Sequence, residues 1–213
     1  MATPGTLIEV QFADQAQQRE AYTLGMWLFI ATEVMLFGAL FLAYTIYRLI
    51  YPATFAAAGR HLDVVLGSLN TAVLLTSSLT MALAVHAASV GGRRKRLVGY
   101  LLATVALGAL FMVIKGIEYA KEYADRLIPG HAFVWVGADG PRAQLFFCFY
   151  FLLTGLHALH LTIGIIIVLG TAGLAWRGRF PSANDTPVEM VGLYWHLIDI
   201  VWIFIFPALY LLH

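Results

Sequence analysis

Apolar residues in this chain gather into five long runs, Leu24–Tyr47, Val64–Ala88, Leu97–Ile114, Ala143–Leu174 and Met190–Leu212, with polar segments between them. None of the five contains Lys or Arg. A helix of about 17–25 apolar residues crosses a hydrocarbon core, so each run is long enough to span a bilayer. Helices buried in a soluble core would not confine nearly every polar cluster to the connections. The pattern predicts an all-α fold: a polytopic integral membrane protein with five transmembrane helices in one bundle.

The first 22 residues are polar and include Glu9, Asp14 and Glu20. They lack the basic n-region and early apolar core of a signal peptide, and they read as a polar N-terminal tail (1–22) ahead of a single domain, 23–213. "SVGGRRKR" joins the second and third runs, and the longest connection, "EYAKEYADRLIPGHAFVWVGADGPR", carries Pro-Gly and Gly-Pro turn signals. Its apolar Phe133–Val136 piece suits a membrane interface. The chain shows no soluble domain, internal repeat or low-complexity segment.

Composition supports the membrane reading. Charged residues make up 12% of the chain, against about 25% in soluble domains, and mean hydropathy is +0.80. A net charge of +1 gives no pull toward a polyanion, so no nucleic-acid partner is expected. The single cysteine, Cys148, excludes an intrachain disulfide, a thiolate cluster and a C-x-x-C-H haem attachment. With five spans the termini lie on opposite sides. The basic count is nearly balanced, seven against six, but Arg93–Arg96 form one tight cluster. That cluster places the N-terminus in the cytoplasm and the C-terminus outside.

Ionisable residues within the spans are the candidates for function. Glu33 lies nine residues into the first run, ~14 Å from its start at 1.5 Å per residue. It reads either as a proton-exchanging or pathway-lining carboxyl, or as an acid bonded to a neighbouring helix that fixes packing. Asp199 lies at the same depth in the fifth run, which crosses in the same direction. His196 is three residues before Asp199, on the same helix face. The pair reads as a structural clamp, His donating to carboxylate, or as a relay if water reaches it. Trp195 and Trp202, seven apart, fall on one side. His157 and His160 have the i, i+3 spacing that lets both rings address one partner, and His86 and His196 complete the span histidines. No carboxylate motif accompanies them, so interhelical bonding or lipid contact is expected rather than metal binding. Lys115, Glu118, Lys121 and Glu122 form an ion-pair ladder, read as a solvated helix end or a transport gate. Asn70 and Thr71 read as interhelical hydrogen-bond partners.

The segments "GMWLFIATEVMLFGALFLAY", "SLNTAVLLTSS", "KGIEYAKEY", "FYFLLTGLHALHLTIG" and "GLYWHLIDIVWIFIFPALYLL" together resemble the subunit III family of haem–copper oxidases, the cytochrome c oxidase group in particular. The patterns T-G-x-H-x-x-H and W-H-x-x-D-x-V-W occur in order, and the likeness runs from about Gly25 onward. Familiar mitochondrial-type members have seven helices; this chain is similar to the shorter five-helix bacterial forms. In the longer forms the extra pair helps to build a V-shaped lipid-holding cleft, so a cleft here would need walls from another subunit.

The resemblance implies a non-catalytic subunit of a bacterial terminal oxidase that reduces oxygen with cytochrome c, in the inner membrane. It implies no haem or copper in this chain, both being held by partner subunits, and contacts with subunits I and II and with membrane phospholipids in a hetero-oligomer. Its roles would be to support subunit I, lipid binding and proton uptake. Glu33 matches the family's intramembrane glutamate, and Glu118, His157, His160, Trp195, His196 and Asp199 match its other recurrent positions. None is catalytic there. Alternatives are a subunit III-like accessory protein of a nitric oxide reductase, a quinol oxidase subunit III, and, more distantly, a stand-alone proton-coupled transporter or a membrane haem protein.

Overall fold

A computed structural model describes residues 14–91, 93–137, 139–178 and 186–212. Among these residues there are six α-helices and no strands: α1 (Gln15–Ile50), α2 (Pro52–Gly59), α3 (Val64–Ser89), α4 (Arg94–Ala124), α5 (Gly140–Trp176) and α6 (Thr186–Phe206). Five are long and apolar enough to cross a membrane. The short α2 lies in the first connection and was not anticipated by the hydrophobic pattern.

Local chemistry sets the helix ends. Asp14 caps α1 by accepting the Gln17 N–H at 2.7 Å. Much of the expected polar tail is therefore helical from Gln15 onward, because the tail's own acid is a good cap; residues 1–13 lie outside the described residues. Pro52 ends α1 by forcing Tyr51 out of helical conformation, then occupies the first turn of α2. Gly91, at φ 63°, terminates α3 in a conformation closed to most side chains. Pro207 has no N–H to give, and α6 widens there into a π-helical turn, Pro207–Leu211. The turn closes with Leu212 N–H donating to the Pro207 carbonyl at 3.1 Å.

Asp63 begins α3, accepting the N–H groups of Val65 and Leu66 at 3.1 and 3.0 Å and pairing with Lys121 of α4 at 3.2 Å. The Leu66 bond is the main reason its carboxyl lies below the ordinary value of 3.8, with Lys121 and Val65 adding to it. A depressed folded value means that the stabilisation is present above 3.8 and is lost as pH falls through the folded value. Amide exchange at Val65 and Leu66 is expected to accelerate in that acid range. Asp63→Ala is expected to abolish the pH dependence, at a cost of about 1 kcal/mol.

Helices α3, α4, α5 and α6 supply most of one core, and α1 lies at its edge against α6 and α5, contributing Phe37 and Tyr44. Only 6% of the apolar window of α1 is buried, against 50% for α6. The five spans thus form a four-helix core with one peripheral helix. Above α4, Phe133 and Trp135 turn inward onto Phe147 while Val134 and Val136 face out.

Candidate functional site

Helix α6 is fastened to α3 by three side-chain bonds in antiparallel register. Trp195 Nε1 donates to Ser77 Oγ at 3.2 Å, His196 Nδ1 lies 2.9 Å from Ser78 Oγ, and Trp202 Nε1 donates to Thr71 Oγ1 at 3.0 Å. The Trp195 ring is completely buried because two glycines on other helices admit it. A Cβ on Gly108 of α4 would come within 2.8 Å of the ring, and one on Gly164 of α5 within 3.3 Å.

His196 therefore clamps helices together, but through Ser78 and not through Asp199. Side chains at i and i+3 both lean toward the helix N-terminus, roughly in parallel, so the serine across the interface is the nearer partner for the ring. Asp199 is buried, and neither carboxyl oxygen has a well-formed hydrogen bond, Ser78 being its polar neighbour. Asn70 is likewise fully buried with both amide atoms unpartnered; of the two expected interhelical partners, Thr71 makes its bond, to Trp202, and Asn70 does not.

His157 and His160 do not converge on one partner. His157 is enclosed between Phe111 and Trp202, with ring centroids 5.5 and 5.0 Å away, and both its nitrogens lack hydrogen bonds. Three residues on, His160 has rotated toward α1. Its Nε2 lies 3.0 Å from Glu33 Oε2, while Nδ1 lies 2.8 Å from the Leu156 carbonyl. A carbonyl can only accept, so Nδ1 carries a hydrogen. The two groups form a close polar pair between α1 and α5. The contact is close rather than well aligned as a hydrogen bond. Glu33 is thus partnered by His160 rather than by Asp199, despite their matching depth. The pair lines an apolar cavity of about 410 Å³ between α1, α5 and α6, with Met26, Phe29, Met190 and Tyr194.

The ladder in "KGIEYAKEY" is not a solvated helix end. Helix α4 continues ten residues past Ile114, to Ala124, and Lys115, Glu118 and Glu122 are 2%, 1% and 4% exposed. Only Lys121 faces out, toward Asp63. Lys115 Nζ donates to Glu118 Oε2 at 3.1 Å, Tyr210 Oη at 2.5 Å and Tyr150 Oη at 3.3 Å. Glu118 Oε1 accepts from Tyr150 at 2.9 Å and also from Tyr210. The rings of Tyr119, Tyr150, Trp202 and Tyr210 surround the ammonium at 4.8–5.6 Å. Spacing alone places the charges on one face of α4; the tyrosines that close over that face come from α5 and from the π-helical turn.

The family profile for cytochrome c oxidase subunit III matches residues 10–213. The chain belongs to the cytochrome c oxidase subunit III family. It is 31% identical to cytochrome c oxidase subunit 3 of Thermostichus vulcanus, over 98% of this chain and 94% of that one. It is also 30% identical to the cytochrome bo(3) ubiquinol oxidase subunit 3 of Pseudomonas aeruginosa, over 88% and 83% of the two chains. Quinol oxidase subunit 3 of Bacillus spizizenii is 31% identical over 93% and 90%. The chain is a subunit III of the haem–copper oxidases, a multi-pass membrane protein that works in a hetero-oligomer with other oxidase subunits.

Within this subunit III, Ser77, Ser78, Tyr150 and Tyr210 are the polar partners that sequence reasoning missed. The serines sit in "LLTSSLT" and the last tyrosine in "PALYLL". Polar groups on helices that pack together need such partners, but nothing along one helix says which other helix supplies them.

Proposed function

We propose that this subunit III serves a bacterial cytochrome c oxidase of the inner membrane, packed beside subunits I and II, with its N-terminus cytoplasmic. In this reading it carries no catalytic centre, and haem and copper reside in the partner subunits. The reading follows the family of the chain; its span histidines His157, His160 and His196 address an aromatic slot, Glu33 and Ser78 respectively. A featureless visible spectrum of the isolated chain, beside a copper-bearing subunit II in the co-purified complex, is the expected result. A haem band on the chain itself would overturn it.

The subunit's contribution is to support proton uptake and to hold phospholipid, and the carrying observation is the Glu33–His160 pair on the cavity between α1, α5 and α6. A proton that leaves such a pair as another arrives would pass through with no net charge left in hydrocarbon, where an isolated charge is costly. The apolar lining suits an acyl chain whose polar end reaches the pair. Glu33→Gln is expected to leave the subunit bound in the purified oxidase and to slow proton uptake during turnover several-fold. Release of the subunit from the complex would instead assign Glu33 to packing.

A further inference from the structure

Two acids and one cation are buried along the last turns of α4. Lys115 Nζ is bonded to Glu118 at 3.1 Å, while Lys121 turns outward to Asp63. Glu122, one turn beyond Glu118 on the same helix face, is also buried, and its Oε2 has no hydrogen-bond partner. A buried carboxylate without a bonded cation is costly, and the one buried ammonium is already held by Glu118.

The backbone brings this acid to the edge of a surface cavity. Arg126 takes the left-handed conformation (φ 56°) that usually calls for glycine. The turn sends the Leu127 N–H back to the Glu122 carbonyl at 2.9 Å and the Arg126 N–H to the Tyr123 carbonyl at 3.1 Å, the paired closure of a helix C-terminus. Buried Leu127 then lines a cavity of about 400 Å³ together with His61, Asp125 and Trp135. The Val134 N–H donates to the Arg126 carbonyl at 3.0 Å and ties the 133–137 segment to the turn. Asp125 is three residues from Glu122, so the two carboxyls occupy neighbouring positions on one helix face. Asp125 Oδ2 lies 3.5 Å from His61 Nε2, and both side chains are about half exposed. Titratable groups therefore follow one another from water to the interior: His61, Asp125, Glu122 and Glu118.

We propose that Glu122 is a proton-binding site served from the membrane face on which α4 ends, its proton passing between water in this cavity and the buried carboxyl by way of His61 and Asp125. One proton enters from that water and the same proton returns to it. Lys115, Glu118, Lys121 and Asp125 of α4 set the field at Glu122. Tyr150 of α5 and Tyr210 of the π-helical turn close the far side of Glu118, and His61 and Asp63 act from the connection into α3, through their pairs with Asp125 and Lys121. With the proton bound, Lys115 and Glu118 remain as a compensated pair; without it, one buried charge is left over. Occupancy of Glu122 thus carries the pH of this face to the place where α4, α5 and the C-terminal turn meet. The face is opposite the start of α1, toward which the Glu33 cavity extends along Met26 and Met190. The site is separate from that cavity and does not rest on proton uptake there.

The test follows the carbonyl stretch of protonated carboxyls by infrared spectroscopy. It uses the whole oxidase, reconstituted in one orientation with pH set separately on the two sides. Acidifying the face on which α4 ends is expected to raise a buried-carboxyl band that Glu122→Gln abolishes and Glu33→Gln leaves in place. Glu122→Asp, which keeps an acid at the position, should shift the band, and it decides the assignment if the glutamine variant fails to assemble. The double replacement His61→Gln, Asp125→Asn should slow the response of the band to a pH jump on the order of a hundredfold, the lower end of what a positioned proton-transfer group contributes. A band that neither Glu122 variant removes or shifts would overturn the proposal. So would a band that follows only the pH of the opposite face, or one whose response the double replacement leaves equally fast.

Discussion

Replacing Glu118 with alanine is expected to destabilise the subunit by about 3–5 kcal/mol, the range for removing one partner of a buried ion pair. Lys115 would then lose its hydrogen-bonded carboxylate and be left among four aromatic rings and two tyrosine hydroxyls, with Glu122 the remaining buried acid on that face of α4. Rings stabilise a cation by about 2 kcal/mol when it is desolvated, which is less than the buried charge needs. The measurement is retention of the subunit in the detergent-solubilised oxidase as temperature is raised. Glu118→Gln should lie between wild type and alanine, since the amide oxygen still accepts hydrogen bonds. The double replacement Lys115→Met, Glu118→Leu should recover much of the loss, because it removes both charges together. If Glu118→Ala is retained like wild type, the knot is not what holds α4, α5 and the C-terminal turn together.

The second large effect is expected at the Trp195 contact. Trp195→Ala should cost about 3–5 kcal/mol through the cavity it leaves, and it removes the donor to Ser77 Oγ, which keeps only its own bond to the Leu74 carbonyl. Gly108→Val should be comparably damaging from the opposite direction. Its Cβ would meet the Trp195 ring at 2.8 Å, and a fully buried indole wedged among α3, α4 and α5 has no room to withdraw. The informative combination is Gly108→Val with Trp195→Phe, where the smaller ring should restore part of the lost stability. Additive losses in that pair would show that the two positions do not share one space. Thermal retention in the oxidase complex reads all three variants.

These two sites show how far the sequence alone could be read. The five spans were legible because a 30 Å hydrocarbon core imposes a length and a composition that no soluble fold requires. The prominence of Glu33, Glu118, Trp195, His196 and Asp199 was legible too, since polar and aromatic groups stand out within apolar runs. Their partners were not. Helical spacing relates residues on one helix, and by that rule His196 was assigned to Asp199, and the Lys115–Glu118 ladder to solvent. The actual partners are Ser78, on another helix, and tyrosines 35 and 92 residues away from their bonding partners. The ladder was misread for a second reason. Its charges follow the end of an apolar run, where a helix usually meets water, but here α4 continues and remains covered by α5 and the π-helical turn.

By itself, then, the sequence determined that the chain crosses the membrane five times, that its family is subunit III, and which few residues carry unusual chemistry at depth. Those properties depend on composition and local order, which the bilayer reads directly. Only the tertiary structure decided that Glu33 faces His160, that Asp199 has no well-formed hydrogen bond, and that Lys115 is caged. Each of these depends on which helix faces which, and in what rotation. That choice is made by shape, through gaps at Gly108 and Gly164 that admit Trp195 and so fix how α6 turns toward α3, α4 and α5.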